Sequence, residues 1–173
     1  HCPGFLKVSG RRFHCWKRGG HGNVDLHRSL RESCDVYYYE MAVRTGIDRI
    51  SDMARRLGIG VQHELPLSSV SEGLAPTRDW KLIYKDDDWR VGDSVNAAIG
   101  QGFVLSTPLQ LAVMTARLAN GGKAVTPRLT RPATDSGEAK EPPSMNISPA
   151  MLRVLHHSMD LVVNHQRGTA YGA

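Results

Sequence analysis

Four residues in the first fifth of the chain combine donor types that suit a metal ion: Cys2, Cys15, His21 and Cys34, separated by 12, 5 and 12 intervening residues. Three thiolates and one imidazole make a complete tetrahedral set for structural zinc. The spacing is looser than the paired Cys-x-x-Cys of a zinc finger, but two local features favour an ion. Gly19, Gly20 and Gly22 let the backbone fold closely around it. The surrounding basic residues favour deprotonated thiols and offset the negative charge of a three-thiolate centre. His14 and His27 are alternative nitrogen donors, and His1 is a weaker one. Two other arrangements stay open on these residues alone: one disulfide plus a free thiol, or three unrelated cysteines with Cys34 packed on the apolar side of a helix.

The charge is concentrated in the same segment. The 173 residues carry 22 Lys and Arg against 17 Asp and Glu, a formal net charge of +5, and the pI is near 9.3. Residues 1–34 hold Lys7, Arg11, Arg12, Lys17, Arg18, Arg28 and Arg31 against only Asp25 and Glu32, so the remaining residues are balanced. With 40% hydrophobic and 23% charged residues, the chain can bury a core and is not disordered by composition. The longest uncharged run, Ser94 to Ala116, is long enough to span a bilayer. It contains Asn96, Gly100, Gln101, Gly102, Pro108 and Gln110, which argues against a lipid-facing helix.

The elements that must position these residues follow from periodicity and punctuation. Residues 1–22 read as an irregular loop with a short strand at Arg11 to Trp16. From Asn23 a helix runs to Gly46, with Leu26, Leu30, Cys34, Val36, Tyr37, Met41 and Ala42 on its apolar side and Asn23 or Asp25 as cap. Asp48 starts a second helix that Gly58 stops. Residues 59–93 read as a long irregular connection with at most short strands or turns. Thr107-Pro108 opens a helix through Asn120 that is apolar nearly all round, hence a buried central helix. Lys123 to Leu129 reads as a strand and residues 131–146 as a surface excursion. Ser148-Pro149 starts a last helix with Met151, Leu155, Met159 and Val162 on one face.

Several of these signals also carry a family resemblance. Ser33-Cys34-Asp35, followed by Val36-Tyr37-Tyr38-Tyr39-Glu40, resembles the second active-site motif of penicillin-binding proteins, written Ser-x-Asn in that family, and the helix after it. Ile99-Gly100-Gln101-Gly102 with Ser106-Thr107-Pro108-Leu109-Gln110-Leu111-Ala112 is similar to the signature helix entry of the class B members. Asn120-Gly121-Gly122 with Pro127, and then Gly168-Thr169-Ala170, resemble the turn after that helix and the approach to the third motif. The stretch from Arg12 to Gly22, with Cys15-Trp16-Lys17-Arg18 and Gly20-His21-Gly22, is similar to the penicillin-binding protein 2 branch, the elongation transpeptidases of rod-shaped Gram-negative bacteria.

The resemblance implies an α+β fold of the penicillin-binding protein/β-lactamase type, mostly its helical part. Residues 1–173 would be a partial transpeptidase domain, with residues 1–34 as a basic zinc-binding segment within it. The implied reaction is peptidoglycan D,D-transpeptidation. A serine in Ser-x-x-Lys attacks the penultimate D-Ala of a stem peptide, with the lysine as base, and the acyl group passes to a neighbouring amine. β-Lactams acylate the same serine, and a Lys-Thr-Gly strand supplies an oxyanion-hole N–H. The chain has neither Ser-x-x-Lys nor Lys-Thr-Gly. Those motifs are expected before His1 and beyond Ala173, so the fragment would be inactive alone. Ser33 would bond the catalytic lysine and relay a proton to the leaving amine. Asp35, in the Asn place, would hold the lysine or a substrate amide, but an ionised Asp accepts hydrogen bonds and donates none.

Implied partners are peptidoglycan stem peptides, β-lactams and a membrane glycosyltransferase of the elongation machinery. The implied location is the periplasmic face of the inner membrane, with the anchoring helix outside this chain. Metal ligation is one way three unpaired cysteines escape oxidation there. The rival reading is a basic zinc module contacting nucleic acid or a protein partner. The balanced charge after residue 34, with no aromatic-basic interleaving, argues against nucleic acid. Asp86-Asp87-Asp88 lacks calcium-loop spacing and reads as a solvated loop, flanked by Trp80 and Trp89 as packing anchors. His156-His157 reads as surface.

Overall fold

The computed structural model describes residues 1–130 and 141–172. The elements, in chain order, are β1 (Phe5–Val8), β2 (Arg11–His14), α1 (Leu26–Arg31), α2 (Asp35–Thr45), α3 (Ile47–Leu57), α4 (Arg78–Lys85), α5 (Val91–Ala97), α6 (Pro108–Ala119) and α7 (Pro149–Asn164). The segment expected to be mostly irregular is a hairpin. Ser9 and Gly10 have φ of +46° and +80°, the pair of positive values a two-residue type I′ turn needs. The strands pair antiparallel, with Phe5 opposite His14 and Val8 opposite Arg11.

The one helix expected from Asn23 to Gly46 is two. Asp25 caps α1 by accepting the Arg28 N–H at 2.7 Å. The helix ends at Glu32, and α2 starts three residues later with Cys34 as its N-cap. Val36, Tyr39 and Ala42 form the buried side of α2, and Gly46 ends it at a φ of +82°. Asp48 lies inside the first turn of α3 instead of capping it; its carboxylate reaches across to the Arg78 backbone N–H at 3.1 Å. Gly58 ends α3 in the left-handed region, where a Cβ would stand 2.9 Å from Val113 Cγ1.

The connection over 59–93 contains α4 and the start of α5, against expectation. The Thr77 hydroxyl caps α4 by accepting the Trp80 N–H at 3.1 Å. Lys81 is buried, its ammonium 2.7 Å from Asp87 and 2.9 Å from Asp93. Trp80 and Trp89 both pack on Phe103, at 5.3 and 6.3 Å between ring centroids, which is the anchoring role expected of them.

Thr107 and Gln110 close a capping box on α6. The fully buried Gln110 amide then donates to the carbonyls of Val61 and Glu72 at 2.9 and 2.7 Å. The helix is not buried all round: Gln110, Val113 and Arg117 face inward, while Leu111 is exposed. Its inner face ties down polar chain. Arg117 donates to the Arg56 and Val125 carbonyls at 2.7 and 3.1 Å.

The strand expected at 123–129 reduces to one bridge, Lys123 to Ser144. Met145 pairs there with Gly122, its N–H donating to the Gly122 carbonyl at 2.8 Å. Of the expected excursion 131–146, residues 131–140 lie outside the described residues, while Met145 at its end is buried. On α7 the expected face is only partly the inward one: Leu155 and Val162 are half-buried, but the fully buried residues are Leu152 and Ser158, and Met151 and Met159 are exposed. His156 and His157 are exposed, as expected.

α1 packs along α7, while α2 packs on α5 and the hairpin. The main core cluster contains Cys2, Cys15, Cys34, Val36, Tyr39 and Val95, with Leu6, Val8, Phe13 and Ile99 packed against it. Among the described residues no helix is long and apolar enough to cross a membrane. The uncharged run from Ser94 is divided between α5, a turn with Gly100 and Gly102 at φ of +73° and +70°, and α6.

Candidate active-site loop and metal centre

The turn between α1 and α2 decides where three consecutive side chains point. Ser33 has a φ of +50°, a region a residue with a Cβ rarely adopts outside functional or tightly constrained sites. The turn is held by the Cys34 N–H donating to the Ser29 carbonyl at 2.9 Å. Cys34 consequently enters the core, Ser33 faces outward and Asp35 is half-buried at the first position of α2.

Cys34 meets the hairpin segment inside. Cys2 and Gly22 exchange backbone hydrogen bonds at 2.7 and 3.0 Å, and the Cys15 N–H donates to the Gly4 carbonyl at 2.8 Å. This close approach needs glycine: at Gly20, φ +78°, a Cβ would lie 2.3 Å from the Cys2 carbonyl oxygen. Cys2, Cys15, His21 and Cys34 are all buried, and one ligand atom from each lies within 4.8 Å of every other. The His21 Nδ1 is 3.6 Å from Cys2 Sγ and 3.5 Å from Cys15 Sγ. The alternative imidazoles go elsewhere. His14 is exposed and tilts against Phe5, and His27 bonds the Ser158 hydroxyl at 2.8 Å. The three thiols are unbridged.

The electrostatics differ from one donor to the next. Burial opposes ionisation of Cys2, but hydrogen bonds from the His21 and Gly4 backbones and from the other two thiols outweigh it and lower its pKa. Burial raises that of Cys15 and pushes that of Cys34 up to about 12. Burial, and then Lys17, lowers the pKa of His21, so the imidazole is neutral, the form that ligates metals. Among the described residues the buried His21 Nε2 has no hydrogen-bond partner, and the Trp16 ring stands edge-on at 5.5 Å.

Sequence reasoning missed Trp16, Glu32 and Thr169, which brace this loop. The Trp16 backbone N–H donates to Asp35 Oδ2 at 2.7 Å. Its indole N–H is shared between the Glu32 and Ser33 carbonyls at 3.0 and 2.9 Å. One Asp35 oxygen is thus engaged with the segment next to Cys15. Glu32 is buried, with Arg31 at 2.8 Å, Arg28 at 3.1 Å and Arg167 at 3.2 Å. Burial alone would raise its pKa; hydrogen bonds from Arg28 and Arg31, with the charges of Arg28 and Arg167, bring it down to about 2. Arg28 and Arg31, part of the basic surplus, are therefore engaged within the fold. The Ser33 hydroxyl lies 2.9 Å from that of Thr169. The available signal for Thr169 was its place in Gly168-Thr169-Ala170.

The penicillin-binding protein transpeptidase domain matches residues 1–173. The peptidoglycan D,D-transpeptidase MrdA of Acinetobacter baumannii is 40% identical over 131 residues, 75% of this chain and 20% of that protein. MrdA of Escherichia coli K12 is 32% identical, over 98% of this chain and 28% of that protein. Among solved structures, Pseudomonas aeruginosa PBP2 in complex with WCK 5153 superposes with a TM-score of 0.88 at 33% identity, over 98% of this chain and 40% of that chain. Helicobacter pylori PBP2, in its complex with MreC, gives a TM-score of 0.86 at 37% identity, over 98% and 31% of the two chains. The chain therefore spans between a fifth and three-tenths of the length of these two MrdA proteins. With similarity running through its whole length and the α+β architecture shared, it belongs to the penicillin-binding protein transpeptidase family.

Proposed function

We propose that this chain is the part of an elongation-type peptidoglycan D,D-transpeptidase that carries the second active-site motif, Ser33-Cys34-Asp35. The observation that carries the reading is the loop itself: a serine held at positive φ, facing outward beside an ordered carboxylate, between two helix ends. The nucleophilic serine and its lysine come from elsewhere in the protein. Acylation by a stem peptide or a β-lactam forms an oxygen–carbon bond and breaks a carbon–nitrogen bond, and the departing nitrogen needs a proton. Ser33 gives its hydroxyl proton to that nitrogen and recovers one from the lysine ammonium. With one oxygen on the Trp16 N–H, Asp35 has the other available to accept from the lysine or a substrate amide.

Cys2, Cys15, His21 and Cys34 suit a structural zinc ion in this reading. A tetrahedral ion with bonds of about 2.3 Å to sulfur and about 2.0–2.1 Å to nitrogen sets sulfur and nitrogen roughly 3.6 Å apart. The two His21 Nδ1 distances agree with that value. Held by these four residues, zinc would supply the positive charge that lets buried thiols ionise. With four protein donors and no open position its role would be structural. Cys34 is both ligand and helix cap, so the site fixes the origin of α2 and with it the directions of Ser33 and Asp35. Stoichiometric zinc in the purified full-length protein is the expected result; its absence would remove this part of the reading.

The whole protein, in this reading, works outside the cytoplasm at the inner membrane with a glycosyltransferase partner. Two similar structures support a protein partner: the H. pylori PBP2 complex with MreC, and a peptidoglycan synthase complex at TM-score 0.73 and 27% identity that coordinates polymerisation and crosslinking. Labelling the full-length protein with fluorescent penicillin tests the enzymatic reading. Ser33→Ala is expected to slow acylation at least about 100-fold, the lower range for a positioned proton-transfer group. Acylation at the wild-type rate would overturn the role given to Ser33.

A further inference from the structure

We propose that Thr169 is a positioning residue for Ser33, its hydroxyl donating the hydrogen bond that leaves the Ser33 proton directed at the departing amine. This rests on Ser33 being the proton relay. The two hydroxyl oxygens are 2.9 Å apart although 136 positions separate the residues. Among the described residues each hydroxyl has its one hydrogen bond in this pair. A serine hydroxyl has one proton and two lone pairs. If Ser33 donated to Thr169, its only proton would be committed away from the reaction. With Thr169 as donor, Ser33 keeps its proton for the amine and a second lone pair for the lysine.

The backbone around Thr169 is built to hold that hydroxyl in place. The Thr169 N–H donates to the Arg31 carbonyl at 3.0 Å, two residues before Ser33, and the Ala170 N–H donates to the Val162 carbonyl at 3.1 Å. The turn closes so tightly on the end of α7 that a Cβ on Gly168 would lie 2.2 Å from the Val162 carbonyl oxygen. Arg167 reaches Glu32 at 3.2 Å, and Arg31 reaches His165 Nε2 at 3.3 Å. The turn is thus fastened to α1 and its end through Thr169 and the residues before it, and to α7 through Ala170 after it. Its hydroxyl is presented from a braced support, as a group that must orient another requires.

During acylation Thr169 transfers nothing. The nucleophile's proton passes to the lysine, the oxygen–carbon bond forms, the carbon–nitrogen bond breaks, and nitrogen receives the Ser33 proton. Ser33 is reprotonated by the lysine ammonium, while Thr169 keeps its own proton and donates the same hydrogen bond throughout.

The test uses the full-length protein carrying this segment, with penicillin acylation resolved into non-covalent affinity and acylation rate constant. Thr169→Val preserves shape and removes the hydroxyl. It is expected to lower the rate constant about tenfold, the order of one oriented hydrogen bond lost in the transition state, with affinity unchanged. Thr169→Ser is expected to restore the rate. Combined with Ser33→Ala, Thr169→Val is expected to add no further loss. Wild-type acylation by Thr169→Val, alongside a slow Ser33→Ala, would overturn the inference and leave the relay standing. Equal losses in Thr169→Val and Thr169→Ser would also overturn it, by showing that the side chain's shape matters instead of its hydroxyl. Wild-type acylation by Ser33→Ala would remove the relay and this inference together.

Discussion

Glu32 shows how a single residue can stabilise from behind the loop that carries Ser33 and Asp35. Its carboxyl falls from an ordinary 4.5 to about 2 in the folded protein. A group whose folded pKa lies below its unfolded value stabilises fully above the unfolded pKa and loses that contribution as pH falls through the folded one. Glu32→Gln should therefore cost about 3 kcal/mol at neutral pH, the order for breaking a buried pair. The gap between variant and wild-type thermal melts should narrow as pH drops from about 5 towards 2. A gap independent of pH would mean that the arginines do not act through the Glu32 charge. The residue types marked Cys2, Cys15, His21 and Cys34 as one possible donor set beside a disulfide or unrelated cysteines, and the fold is what brings these four together in the interior. Glu32 was not legible in the sequence. A Glu among arginines on a helix reads as a solvated face, and only the fold shows Arg167 arriving from the far end of the chain.

At the scale of elements, the hairpin and the α1–α2 turn act as one support. Gly20, like Gly4, is a tight point of it, since a side chain there would collide with the Cys2 backbone as well as strain a φ of +78°. Gly20→Ala should lower the melting temperature of the full-length protein and reduce its bound metal, whereas Gly19→Ala, with open space around its Cβ position, should do neither. Equal behaviour of the two variants in a melt with metal analysis would contradict this. Three helix starts with a side-chain cap were legible, Asp25, Thr107 and Ser148 each accepting the expected backbone N–H, but the Thr77 cap of α4 was not. The helix break at Ser33 was not, because nothing in a serine announces a positive φ. α4 was hidden for another reason. Its Leu82, Ile83 and Tyr84 are exposed, so no inward apolar period marks it, and its inner anchor is the buried Lys81. The misplacement of Met151 and Met159 on α7 has a similar origin: the buried side includes Ser158, bonded to His27, where methionines were the more apolar choice.

Across the whole molecule, three stretches far apart in sequence meet at Ser33: the hairpin segment through Trp16 and the cysteines, the α1–α2 turn, and the turn after α7 through Thr169 and Arg167. The family was legible because its motifs recur in order along the chain. The convergence was not, since it depends on α1 packing against α7. The most direct measurement is the rate of fluorescent-penicillin acylation by the full-length protein as isolated, after removal of metal by a chelator, and after zinc is restored, with Cys34→Ala alongside. The account predicts that stripping the metal slows acylation about 10- to 100-fold, the range seen when support around a metal site is lost. Zinc should recover the rate, and Cys34→Ala should match the stripped protein and not respond to zinc. One acylation rate across all four samples would contradict it.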